Sequence, residues 1–273
     1  MHGVAVSRGR TRALALPDGA ASGGLARVVD EQDLGQAGAW VLLGTWPFAH
    51  GERDGLLRAF HDAYADMRAD LGSTPTPVLD TLAGRQGPSR FDTIVIEPPT
   101  PPRAALVFLH GYGGSFTLEC WMLAQAARAI SATTVCPATR FSGHWSERDG
   151  ERTLRATIDY LHGRGLRRIY LAGLSNGAAG ASALAPRFAS SLAGLVLISG
   201  APASGSAVAP GFPILVVQGE RDATASARAA HIFASRTHAT YAGFDDAGHF
   251  VLLTRCAQVR EVIATWLRRH ESR

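Results

Sequence analysis

The sequence of 273 residues contains no lysine, so all 27 of its Lys-or-Arg positions are arginine. That absence excludes Schiff-base chemistry, a Ser-Lys dyad and a P-loop, each of which needs an amine at a fixed place. The arginines are interspersed with 23 acidic residues, leaving a net charge of +4. They do not gather into the one-sided basic patch that nucleic acid requires, and no nucleic-acid partner is expected. Cysteine is scarce: Cys120, Cys136 and Cys256 are odd in number and widely spaced. This argues against a disulfide framework or a zinc site and for small apolar core residues, although one pair could still be bridged. No run of about 18 apolar residues exists, so no membrane span is expected. The N-terminal apolar run from Ala13 to Leu16 stops at Pro17 and Asp18, short of a secretory h-region. With no signal peptide and few cysteines, the expected location is cytoplasmic.

What is present describes a globular chain. Hydrophobic residues make up 46% and charged residues 18%, enough for one large α/β domain. Residues 1 to about 37 show no clear period and read as a loose arm. Trp40 to Trp46 is a short apolar run that allows a strand. From Asp54 the apolar positions Leu56, Leu57, Phe60, Tyr64, Met67 and Leu71 fall three and four apart, which predicts an amphipathic helix. The stretch 92–97 (DTIVIE) predicts a strand. From Arg103 the pattern becomes regular, with strands predicted at 104–109, 132–136, 168–173, 194–199, 213–218 and, more weakly, 239–244. Helices are predicted near 116–130, 147–163, 177–188, 224–236 and 255–269. Apolar runs alternating with helices make a mostly parallel, doubly wound sheet. The expected organisation is an N-terminal arm and helical segment over 1–91, packed on or near a catalytic core over 92–273.

The strongest chemical signal is Gly173-Leu174-Ser175-Asn176-Gly177, a G-x-S-x-G between a predicted strand and a predicted helix. In that context a sharp turn exposes the serine hydroxyl at the C-terminal edge of the sheet, above a helix N-terminus. A serine hydroxyl needs a base. His249, in a loop after the last predicted strand and before the last helix, is placed to act as one. The histidine needs an acid to fix its tautomer. Asp222, in the loop beyond the strand PILVVQ, is preferred over Glu220, Asp245 and Asp246. An oxyanion needs preorganised N–H donors. The Asn176 amide follows the nucleophile, and the loop His110-Gly111-Tyr112-Gly113-Gly114 supplies a second donor, Tyr112 first and Gly113 second. His110 reads as a brace for that loop. HGYGG is a poor phosphate cradle because it lacks the G-x-G-x-x-G spacing and a lysine. Tyr112, Phe141 and Trp145 are candidates for a substrate pocket, with ordinary loop packing the alternative.

Together HGYGGS, GLSNG, GERD and DAGHF, in that order between those strands, resemble the α/β-hydrolase superfamily over about residues 92–273. The resemblance implies hydrolysis of a small-molecule ester, thioester or amide through an acyl-enzyme, with no cofactor and no metal. An acyltransferase on the same triad, or a non-catalytic ligand-binding protein on the same scaffold, are the other functions it allows. The connection GAPASGSAVAPG, between the strands at 194–199 and 213–218, is too short for the cap domain often inserted there, so a fold without a large cap is expected. Residues 1–91 do not show the two clear opening strands of the superfamily. Substrate identity and oligomeric state are not legible.

Overall fold

A computed structural model describes residues 2–7, 10–14, 29–45, 53–74, 76–203 and 212–271. Nine strands form one sheet: β1 (His2–Ser7), β2 (Arg10–Leu14), β3 (Asp92–Ile96), β4 (Ala104–Leu109), β5 (Ala132–Pro137), β6 (Ile169–Leu174), β7 (Leu192–Ile198), β8 (Ile214–Gly219) and β9 (Thr240–Phe244). Their spatial order is β2-β1-β3-β5-β4-β6-β7-β8-β9. From β5 across to β9 every pairing is parallel. β3 runs antiparallel to β5, β1 runs parallel to β3, and β2 closes the edge antiparallel to β1.

The helices are α1 (Glu31–Thr45), α2 (Arg53–Leu71), α3 (Val78–Leu82), α4 (Thr117–Ala127), α5 (Arg148–Gly163), α6 (Asn176–Leu184), α7 (Ala227–Thr237), α8 (Val251–Thr254) and α9 (Cys256–Glu271). The strand pleat sends alternate side chains to opposite faces. On one face Leu106, Phe108, Tyr170, Ala172, Val196 and Val217 meet α2, α4 and α9. On the other, Val107, Leu109, Leu171, Leu195, Leu197 and Val216 meet α5, α6 and α7. Burial on both sides is why these strands read as unbroken apolar runs.

Two expectations for the N-terminal third are corrected. The arm contributes two strands, β1 and β2, to the sheet. Most of the apolar run from Trp40 lies at the end of helix α1 rather than in a strand. Its register is helical: Ala39 and Leu43 are buried and Trp40 is exposed. Gly35 lets α1 sit on α2, because a Cβ there would run into the Tyr64 hydroxyl. The helix predicted from Asp54 is present as α2 and buries Leu56, Tyr64, Met67 and Leu71.

A third correction concerns cysteine. Cys120 and Cys136 are core residues, as expected, but they are also bonded to each other, with Cα atoms 6.1 Å apart. Packing of α4 against β5 brings them within bridging range, and a separation of 16 residues gave no framework pattern to announce it. Such bridges persist in oxidising compartments, so cysteine usage no longer supports a cytoplasmic location. Among the described residues no helix is long and apolar enough to cross a membrane. The described parts of the β7–β8 connection, 199–203 and 212–213, hold no helix, and 204–211 lie outside the described residues.

Candidate active site

Ser175 joins β6 to α6 with φ 55° and ψ −120°, a left-handed conformation that costs a non-glycine residue energy. The turn is this sharp because its flanks are small. A Cβ at Gly173 would strike the Gly177 carbonyl across the turn, and one at Gly177 would strike the Leu109 carbonyl of β4. The backbone of Ser175 is tied on both sides. Its N–H donates to Ile198 O (2.9 Å), and its carbonyl accepts from Ala178 N (2.9 Å) and Ala179 N (3.1 Å).

Two loops at the ends of β8 and β9 deliver the other groups. The Gly219–Asp222 turn closes with Asp222 N donating to Gly219 O (3.1 Å). It is laced to the next loop by Glu220 N to Phe244 O (3.0 Å) and Arg221 N to Ala247 O (3.0 Å). That lacing sets His249 beside Asp222. His249 Nδ1 lies 2.8 Å from Asp222 Oδ2, and His249 Nε2 lies 3.1 Å from Ser175 Oγ. The Asp222 side chain is inaccessible to solvent and that of His249 is 11% exposed. Asp222 Oδ1 accepts from the amides of Thr224 and Ala225, both at 2.8 Å. A carboxylate only accepts, so its bond to Nδ1 requires the Nδ1–H tautomer and leaves the Nε2 lone pair facing the serine hydroxyl.

The alternative acids are occupied elsewhere. Glu220 accepts from the Tyr241 hydroxyl (2.7 Å) and lies 3.2 Å from His231 Nε2. Asp246 pairs with Arg255, and Asp245 is exposed. Gln218, missed in the sequence, is buried at the end of β8 and donates to Asp222 Oδ2 (3.1 Å), Gly219 O and Ala225 O. Its signal was a lone polar residue closing the apolar strand ILVVQ.

The 110–114 loop lies against the serine. A Cβ added at Gly111 would stand 3.2 Å from Ser175 Cβ. Gly113 N donates to Phe141 O (2.9 Å), which engages the second-choice donor. Asn176 is the first residue of α6, where an amide has no carbonyl of its own helix to bind; its side chain holds Ser142 O at 2.9 Å. His110 is buried, and its Nε2 accepts from Thr139 N (3.1 Å) while its Nδ1 faces Gly111 O (2.7 Å). Burial pushes its pKa down to about 4, so it stays neutral and stitches this loop to the strand beyond.

Of the three pocket candidates, Tyr112 is 53% exposed and packs edge-on against the half-buried Phe141 (4.9 Å between centroids). Trp145 is corrected. It is fully buried, donates Nε1–H to His110 O (2.9 Å) and fills the space between α5 and α6, where Gly150 and Gly180 leave room for it. The indole is core, out of a substrate's reach. On the other side of the site, Phe250, next to His249, packs edge-on against Phe60 of α2 (6.1 Å), and Leu43 and Leu56 continue this cluster. The N-terminal helices thus buttress the histidine loop.

No known protein-family model matches the chain, and no curated protein matches it by sequence. Solved structures do match. An α/β serine hydrolase without lid from Xanthomonas campestris aligns at 24% identity with a TM-score of 0.50, over 66% of this chain and 88% of that one. Est1E from Butyrivibrio proteoclasticus aligns at 14% identity with a TM-score of 0.57, over 66% and 94%. An α/β hydrolase enzyme from the metagenome of lagoon sediments at Mar Chica, Morocco, aligns at 14% with a TM-score of 0.53, over 66% and 96%. Sheet order, helix placement and these likenesses agree: the chain has the α/β-hydrolase fold, with no cap domain among its described residues.

Proposed function

We propose that this protein is a serine hydrolase that cleaves a carboxylic ester, or a related acyl bond, through an acyl-enzyme on Ser175. The observation that carries the reading is the continuous hydrogen-bonded line from Ser175 Oγ through the His249 ring to the buried Asp222 carboxylate. A structural role needs no such line, with its serine at the sheet edge in a strained turn. Neighbours of the same fold include serine hydrolases, which agrees with the reading at the level of the reaction.

In this mechanism His249 Nε2 takes the hydroxyl proton as Ser175 Oγ attacks the substrate carbonyl. The amides of Tyr112 and Asn176 receive the oxyanion. His249 then gives its proton to the leaving alcohol, and water repeats the two steps to release the acid. Asp222 holds the ring and stabilises the imidazolium. Tyr112 and Phe141 offer an apolar edge for the acyl or alcohol portion.

The test is labelling with a fluorophosphonate, with peptide mapping, alongside p-nitrophenyl esters of graded chain length. Ser175→Ala is expected to abolish labelling and lower kcat by roughly 10³- to 10⁶-fold with the fold intact. Wild-type rates in the folded variant would overturn the assignment.

A further inference from the structure

The mechanism above needs the Tyr112 amide held still beside Ser175, and the loop that carries it enters α4 at Thr117. Phe116, the N-cap of α4, makes no side-chain cap hydrogen bond. The cap comes instead from a residue 86 positions upstream. Glu31, at the start of α1, is completely buried. Its Oε2 accepts from Thr117 N at 2.6 Å and its Oε1 from Leu118 N at 2.8 Å. The hydroxyls of Thr76, Thr117 and Tyr64 also bond to it, and its own amide is anchored on Thr74 O (2.8 Å). Burial raises the Glu31 carboxyl from 4.5 to about 7 and these donors oppose the rise; in the ionised form both oxygens accept, and a helix N-terminus favours that anion. The other side of the loop is backed by α3, whose Val78 and Thr81 side chains would touch a Cβ placed at Gly114.

We propose that Glu31 is a positioning residue for the acyl-transfer reaction: its carboxylate clamps the first turn of α4 and thereby fixes the 110–116 loop, and the Tyr112 amide with it, against Ser175. This rests on the reading of Ser175 and Tyr112 given above. A helix cap that served stability alone could be supplied locally by Ser, Thr, Asp or Asn at position 116. A carboxylate brought from α1 instead ties the loop to the N-terminal helices that also buttress His249.

Glu31→Gln keeps the shape but turns one accepting oxygen into an NH₂ group that faces N–H donors. Loss of one whole oxyanion donor costs about 10²–10³ in kcat, and a loosened donor still visits its place. The expected result is therefore a kcat lower by about 10- to 100-fold, with KM within about threefold and fluorophosphonate labelling slowed by the same factor as kcat. Hydrogen exchange of the peptide spanning 110–118 should speed up by at least about tenfold, a readout independent of activity. Should Glu31→Gln fail to fold, Thr117→Pro removes one clamped donor at the first helical position, where proline is accepted and the extended Phe116 before it is compatible. Its kcat should fall in the same way. A folded variant with kcat within twofold of wild type and unchanged exchange over 110–118 would overturn the clamp. Undiminished activity in Ser175→Ala would instead overturn the parent reading, with exchange alone then judging the clamp.

Discussion

Replacing Asp222 by asparagine tests the proposed relay at its least replaceable atom. The two carboxylate oxygens have different surroundings. Oδ1 receives the rigid backbone amides of Thr224 and Ala225. Oδ2 receives His249 Nδ1 and the Gln218 side chain. An asparagine must put its oxygen where two fixed N–H groups point, so its NH₂ is forced towards His249 Nδ1. That nitrogen must then accept rather than donate, and the proton moves to Nε2, which faces Ser175 at 3.1 Å. The base has lost its lone pair although no atom has moved far. The same exchange in a serine protease costs about 10⁴ in rate, and a loss of 10³- to 10⁴-fold in kcat/KM, about 4–5.5 kcal/mol of barrier, is expected here. The assay is hydrolysis of a p-nitrophenyl ester at pH 7.5, with circular dichroism to establish folding. Glu220→Gln, whose partners are Tyr241 and His231, is the control and should stay within about threefold. A folded Asp222→Asn variant within tenfold of wild type would refute the tautomer argument.

Two further predictions concern the core. The Cys120–Cys136 bridge closes a loop with a sequence separation of 16, a size at which a cross-link contributes about 3 kcal/mol. Reduction should therefore lower Tm by roughly 6–12 °C, and the denatured, unreduced chain should show one titratable thiol, Cys256; finding three would remove the bridge. Burial, helped by the neighbouring Glu31, raises the Glu119 carboxyl from 4.5 to about 8. A folded state that keeps a proton the unfolded chain has released loses stability as pH rises between those two values. Glu119→Gln should accordingly gain about 2 kcal/mol on wild type between pH 5 and pH 9, allowing for the partial exposure of the side chain. Denaturant unfolding at the two pH values measures it, and a constant difference would contradict the burial argument.

Where physics acts locally, the sequence could be read. Strands β3 to β8 are largely buried and appear as apolar runs, whereas the edge strand β9 is not and read more weakly; the glycines around Ser175 are needed because strand and helix touch there. Asp222 and His249 were legible as loop residues at strand ends, but their approach depends on lacing between the two loops that no residue pattern encodes. Four features were hidden. Trp145 on an aromatic loop looks the same in sequence whether it faces solvent or core. Trp40 opens an apolar run whose helical register shows only when the run is joined to Glu31. The cysteine bridge and the Glu31 cap link positions whose proximity is a property of the assembled sheet.

The Glu31 cap has a consequence for the order in which the chain matures. Helix α4 and the strand beside it are joined by a local covalent bridge, whereas the first turn of the same helix is completed by a residue made 86 positions earlier. Synthesis delivers Glu31 first and its partners much later. The N-terminal helices can meet each other at Gly35 and Tyr64, but Met67 and Leu71 of α2 lack their core partners until β4 and α4 have emerged. Closing that long loop carries an entropic cost that a local contact does not, and it brings the opening segment and the surroundings of Ser175 together.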